Sequence, residues 1–124
     1  MIDVLVSKVM DMGMIMNHKD TVDEYTDYYK LLECTAFDVV RVTWKGHNLS
    51  LYVDDEGLMK QYNYGRDVVY DDTNKEEYIT RLFGNIVVTG DVDSIGRTLS
   101  VPEEITLLDL VDFISDVKYQ TKGD

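Results

Sequence analysis

The chain has 124 residues, 44% of them hydrophobic, and carries 24 Asp and Glu against 12 Lys and Arg, a net charge of -12. That size and apolar content specify one domain with its own core and exclude a chain that stays disordered. The charge excludes direct binding to DNA or RNA, whose phosphates a surplus of carboxylates repels.

The single cysteine, Cys34, rules out an internal disulfide and, set in an apolar run, reads as a packed thiol. No stretch approaches the ~20 apolar residues of a membrane helix. The N-terminus lacks the basic start and small-residue cleavage site of a signal peptide, so the cytosol is the expected compartment and no membrane partner is expected.

Ile2, Val4, Val6, Met10, Met12, Met14 and Met16 fall on even positions, with Lys8 the only break. Period two predicts a strand with one buried face, bent or turned into a short hairpin at Gly13. The four methionines read as core, with an adaptable binding groove as the other meaning of such a stripe. Thr21 and Glu24 then form a T-x-x-E capping box that predicts a helix to about Glu33. Val22, Tyr25, Tyr29 and Leu32 share its apolar face. Asp20, Asp23, Glu24 and Asp27 line the opposite face, where carboxylates also gain from the positive helix start.

Phe37 to Trp44 alternates and is rich in β-formers, Lys45-Gly46-His47-Asn48 is turn chemistry, and Leu49 to Val53 returns as a second strand. Asp54-Asp55-Glu56-Gly57 makes an acidic turn, and Leu58 and Met59 begin a short extended piece. Gln61 to Asp72 has no clear period and reads as loop. Asn74 with Glu77 predicts a short helix through about Leu82, which Gly84 ends. Asn85 to Thr89 reads as a buried strand, Gly90 to Gly96 as a loop, and Arg97 to Leu99 as a partner strand. Ser100 with Glu103, and Pro102 near the start, predict a last helix over about Val101 to Val117. Its core face is Leu107, Leu110, Val111, Ile114 and Val117, and Asp109, Asp112 and Asp116 form its outer stripe. Tyr119 to Asp124 reads as a frayed tail. The whole chain, 1–124, is thus expected to be a single acidic α+β domain, a mostly antiparallel sheet with helices packed on one face.

Signs of chemistry are sparse. Asp91-Val92-Asp93-Ser94-Ile95-Gly96 starts like a calcium loop, but Ile95 stands at the fifth position and Pro102 where a bidentate Glu is required. It reads as a turn, as does Asp54-Asp55-Glu56 beside the idea of a weak Mg²⁺ site. His18 and His47 are isolated, and one Cys cannot build a zinc set. There is no phosphate-binding loop, dinucleotide fingerprint or nucleophile elbow. The expectation is a non-enzymatic protein without catalytic residues, metal or cofactor.

The segments Val53-Asp54-Asp55-Glu56-Gly57-Leu58, Asn63, Arg66, Leu82-Phe83-Gly84-Asn85-Ile86-Val87-Val88, Gly90, and Leu99-Ser100 with Glu103-Glu104 together resemble a small domain-of-unknown-function family. That family is encoded by tailed phages and bacterial conjugative elements. Thr21 to Phe37 is similar to the helix preceding its first hairpin. Where the family tends to have prolines beside its Asn, this chain has Tyr62 and Tyr64. The resemblance implies an accessory gene of a virus or mobile element and carries over no catalytic residue.

Two functions fit. In the first, the chain binds and antagonises a host protein that has a basic surface, as counter-defence or host takeover, by acidic mimicry of nucleic acid. Carboxylates at helical spacing recur every ~5 Å of rise, not far from the spacing of DNA phosphates. The residues would be Asp20, Asp23, Glu24, Asp27, Asp54, Asp55, Glu56, Asp109, Asp112 and Asp116. In the second, Tyr62, Tyr64, Arg66, Arg81 and Arg97 gather to sequester a signalling nucleotide. A sheet edge or the methionine face would serve a homodimer.

Overall fold

The computed structural model describes residues 1–56, 62–71, 77–117 and 119–122. Eight strands are present among them: β1 (Ile2–Val9), β2 (Ile15–Val22), β3 (Phe37–Trp44), β4 (His47–Asp54), β5 (Tyr62–Asp71), β6 (Glu77–Phe83), β7 (Ile86–Thr89) and β8 (Tyr119–Lys122). Two helices accompany them, α1 (Thr26–Leu32) and α2 (Leu107–Phe113). The strands make one sheet in the order β2-β1-β7-β4-β3-β5-β6, with β8 also on β5, and every pairing is antiparallel. The mostly antiparallel sheet read from the sequence is present, and it dominates the fold more than the three expected helices implied.

The helices, however, cover opposite faces of the sheet rather than one. Neighbouring strand residues point to opposite sides, and the two cores follow that parity. Val4, Val6, Tyr52 and Val87 meet Tyr28 and Leu32 of α1. Leu5, Leu51, Ile86 and Val88 meet Leu110 and Phe113 of α2. A strand buried on both faces, such as β7, reads as the unbroken apolar run Ile86-Val87-Val88.

Several local expectations give way to tertiary pairing. The even-numbered pattern holds only through Val6: the chain reverses in a 3-10 turn at Asp11–Gly13, and β2 pairs back on β1 from Ile15 to Val22. Met10, Met12, Met14 and Met16, at or beside the turn that joins β1 to β2, are 39%, 90%, 69% and 44% exposed. They are surface, not core. The Thr21 cap is overridden because Thr21 and Val22 continue β2 against Asp3 and Ile2. The helix starts only at Thr26, and Val22 is buried as a strand residue while Tyr25 stays exposed.

The hairpin of β3 and β4 forms with a shorter turn than read: His47 and Asn48 belong to β4, and Trp44 lies opposite His47. Lys45 and Gly46 carry φ of 52° and 78°, the left-handed pair that a two-residue hairpin of native twist requires. Gln61 to Asp72, read as loop, is instead largely the long strand β5. The segment expected to be a short helix is β6, whose Tyr78, Ile79, Thr80 and Phe83 suit a strand; Leu58, Met59, Asn74 and Asp72 lie outside the described residues. Arg97 to Leu99 makes one bridge, Val92 to Thr98, rather than a strand. The last helix is short: it starts at the box of Thr106 and Asp109 and stops at Phe113, where Ile114 bridges to Val68 of β5. Tyr119–Lys122 is strand β8 on β5, not a frayed tail.

Among the described residues a single pair, Thr43 with Asp71, joins β3 to β5. Beyond it the β5–β6 ribbon folds back, so that Val68 and Leu82 enter the same core as Leu5, Leu51 and Val88. Arg66, 1% exposed, fixes this fold-back. Its Nε donates to the Ser115 carbonyl at 3.0 Å and Nη2 to Ser7 Oγ at 2.6 Å. Nη1 donates to the carbonyls of Ser7 at 3.3 Å and Gly84 at 3.5 Å. One side chain of β5 thereby grips β1, the β6–β7 turn and the exit of α2.

Arg66→Ala should cost about 3 kcal/mol or more, since it leaves buried carbonyls without donors and opens a cavity. Arg66→Lys should recover only part of this, because an ammonium cannot match the planar fork. Urea midpoints of the three proteins check it; an unchanged midpoint for Arg66→Ala would contradict this role.

Candidate functional site

The acids of the chain separate into those the fold uses and those it does not. Asp109, expected on an outer helix stripe, is 2% exposed. Its carboxylate accepts the Thr106 backbone N–H at 2.7 Å and the Trp44 indole N–H at 3.3 Å, and pairs with the Lys45 ammonium. The tip of the β3–β4 hairpin is thus clamped to the first turn of α2. Burial alone raises the Asp109 pKa, but Lys45, the Thr106 N–H and the Trp44 N–H outweigh it and hold the group at about 2. Asp54 is buried at the end of β4, where it accepts the Glu56 N–H at 2.9 Å. Asp27 Oδ2 accepts the N–H groups of Asp23 and Glu24 at 2.9 and 3.1 Å, which lowers its pKa and closes the turn into α1.

The remaining acids named from the sequence are on the surface. Asp20 lies on β2, half-buried, and Asp23 and Glu24 follow in the turn, so these three do not form a helical stripe with Asp27. Asp55 and Glu56 are exposed after β4, Asp112 is exposed on α2, and Asp116 lies beyond the end of that helix.

The cationic set is dispersed in its engagements. Arg66 is buried as described, its pKa lowered by that burial to about 10 against the opposing pull of Asp116, so it remains charged at neutral pH. Arg81 on β6 faces Asp67 across the ribbon at 3.8 Å, and Arg97 faces Asp93 at 3.5 Å within its own turn. Tyr64 is half-buried on β5. Tyr62 has its backbone paired with Lys122, and its side chain lies outside the described residues. Among the described residues, no group of His, Cys, Asp and Glu is arranged to hold a metal ion. No helix among them is long and apolar enough to cross a membrane.

One concavity stands out, a cleft of about 640 Å³ at the open end of the β1–β2 hairpin. Asp3, Leu5, Lys19, Asp20 and Thr21 contribute from the two strands, and Val101, Pro102, Glu103 and Ile105 form the wall. Gly90 positions that wall. A Cβ there would collide with the Ser100 carbonyl, so only glycine lets the chain from Leu99 to Val101 pass this close. The Gly90 N–H donates to Leu99 O at 3.0 Å, and Asp3 accepts from Val101 N–H at 2.9 Å. Sequence reasoning missed Asp3, Lys19 and Glu103 as neighbours. Ser100 and Pro102, read as a helix start, instead build this extended wall: Ser100 Oγ accepts the Asp3 N–H at 2.9 Å.

A family of domains of unknown function, DUF3846, matches residues 9–114, from the end of β1 through α2. The chain belongs to that family. No curated protein and no solved structure matches it. Within this DUF3846 domain the matched span includes Arg66, Gly90, Asp109 and the cleft wall, and leaves Asp3 just outside.

The Asp109 clamp has a pH signature. Its pKa of about 2 lies below the ordinary 3.8, so its stabilisation is fully present above pH ~4 and lost as pH falls from ~4 toward ~2. The contribution is on the order of 2 kcal/mol. Asp109→Asn should lower the urea midpoint at neutral pH and flatten part of the acid limb. An acid limb identical in both proteins would contradict the clamp.

Proposed function

We propose that this DUF3846 protein is a non-enzymatic accessory protein of a phage or other mobile element, which binds and antagonises a host protein through its exposed carboxylates. The basic surface of such a partner would meet the acids as it meets nucleic acid. The observation that carries this reading is how the acids are divided. After Asp27, Asp54 and Asp109 are assigned to caps, turns and the clamp, Asp3, Asp20, Asp23, Glu24 and Glu103 remain around the end of the β1–β2 hairpin. Asp3, Asp20 and Glu103 line the cleft, and Asp23 reaches the Met1 α-amine at 3.5 Å. A carboxylate-rich rim of this kind steers a basic surface by long-range attraction.

Sequestration of a signalling nucleotide draws less support. The Arg66 guanidinium is engaged by internal acceptors, Arg81 and Arg97 each face a carboxylate, and the cleft presents Asp3, Asp20 and Glu103 against Lys19. That lining repels phosphate.

Immobilised protein should retain a basic, nucleic-acid-binding host protein at ~0.1 M salt and release it toward 1 M, as the screening length falls from ~10 to ~3 Å. Duplex DNA should displace the partner, and the combined variant Asp20→Lys, Asp23→Lys, Glu24→Lys should lose at least about tenfold in affinity, ~1.4 kcal/mol. A partner held equally at both salt concentrations and indifferent to DNA would sink the mimic reading.

A further inference from the structure

We propose that the outer edge of β2 takes up an extended, basic segment of the partner protein as an added strand, with a lysine or arginine of that segment entering the adjoining cleft. The inference rests on the partner-binding reading above and specifies where and how the partner docks.

The backbone directions of β2 follow from its neighbours. Asp3 bonds through its own N–H and C=O to Ser100 and Val101, and the Val9 N–H goes to Asn85 Oδ1, so both turn their backbone away from β2. Asp3 lies opposite Thr21 and Val9 opposite Ile15. In an antiparallel pair such residues form the non-hydrogen-bonded rungs, and their partners face outward in the same way. Ile15, Asn17, Lys19 and Thr21 therefore direct their backbone groups away from β1, to the outer side of β2. Among the described residues, only the Thr21 N–H is met there by a side chain, Asp20 Oδ1 at 2.8 Å. Among the described residues, no strand pairs with this side.

Edges of this kind are usually blunted by proline, bulges or a covering element. β2 has no proline, and its register with β1 runs without a bulge from Ile15 to Val22; α2 is the described helix that comes near it. Two side-chain atoms on it, Asn17 Oδ1 and His18 Nδ1, are buried and lack a hydrogen-bond partner. At its start the exposed Met12, Met14 and Met16 offer adaptable apolar surface. At its end Lys19, Asp20 and Thr21 line the cleft, where Asp3, Asp20 and Glu103 outnumber Lys19. An added strand would thus find main-chain partners along its length, apolar contact at one end and carboxylates at the other. The charge selects the occupant. A second copy of a chain with net charge -12 is repelled, whereas a basic segment is attracted.

The test uses the full chain, isotope-labelled, titrated with a capped peptide of alternating lysine and valine and with its glutamate counterpart. The lysine peptide should shift the Ile15, Asn17 and Lys19 amides and slow their hydrogen exchange, leaving Met16 and His18, already bonded to β1, little changed. Lys19→Pro should weaken binding at least about tenfold, because it removes an outward N–H while sparing the β1 ladder. Asn17→Pro should do the same at the neighbouring rung, and the wild-type amide pattern decides the matter if either variant fails to fold. Binding of the lysine peptide with no change at the β2 amides overturns strand addition but leaves the acidic-surface reading standing. Equal binding of the glutamate peptide, or no binding of either, overturns the basic segment; salt-labile capture of a host protein then still tests the broader reading separately. A concentration-dependent dimer that Lys19→Pro abolishes would assign the edge to a second copy and overturn the proposal.

Discussion

The buried guanidinium of Arg66 is the constraint on which the architecture turns. Among the described residues β3 and β5 share one rung, and the backbone holds the folded-back β5 to the exit of α2 at the Val68–Ile114 bridge and through the Ser115 N–H on the Asp67 carbonyl. Arg66 reinforces the fold-back by donating to Ser7, Gly84 and Ser115, which belong to three separate parts of the chain. Carbonyl dipoles and a serine hydroxyl, rather than a directly bonded carboxylate, solvate the charge. The field of a molecule with net charge -12 also favours a cation inside it, and Asp116 adds a nearby opposite charge. Burial of an ion is costly unless its donors are matched, and here the planar fork makes them match. The consequence is a core in which Val68 and Leu82 share space with Leu5 and Val88, closed at one end by α2.

The acid surplus has a structure of its own. Asp109 ties a hairpin tip to a helix start, Asp27 and Asp93 each accept backbone N–H groups in tight turns, and Asp54 ends a strand. These acids would be needed in any protein of this fold, whatever it binds. The acids around the hairpin end are more exposed and engage neighbouring groups, Asp20 the Thr21 N–H, Asp23 the N-terminal amine and Glu24 the Thr26 hydroxyl. Their mutual repulsion works against compaction. That contrast separates a general property, charge, from a local one, a rim beside an open strand edge.

Much of the frame was legible in the residues. The existence of the hairpin, with Phe37–Trp44 as its first strand, and of the apolar strand around Ile86–Thr89 follows from alternation, turn chemistry and β-branched content, while the start of the second hairpin strand at His47 does not. The segment Tyr64, Arg66, Val68, Tyr70 keeps period two as well, but a charged residue at a core position disguises it. Its partner β6 was hidden by an N-cap pattern that long-range pairing overrides, as were the true starts of both helices. Helix propensity and capping are worth roughly 1 kcal/mol each, less than a completed strand ladder with its buried face. For the site, Asp20, Asp23 and Glu24 were found as surface acids, whereas Asp109 and Arg66 were misassigned because burial partners such as Trp44, Lys45 and Ser7 are distant in sequence. Asp3 and Glu103 meet only through the passage that Gly90 permits, which no local pattern announces.

The most direct measurement concerns Arg66 itself: the exchange of its Nε proton, followed by nuclear magnetic resonance after transfer to heavy water. Held at 3.0 Å on the Ser115 carbonyl and sealed from solvent, that proton should persist alongside the amides of the buried strand residues Val87 and Val88. The Nε proton of Arg41, on the exposed surface beside Asp91, should vanish at once. If the Arg66 proton exchanges as quickly as that of Arg41, the guanidinium is not the internal clasp of this fold.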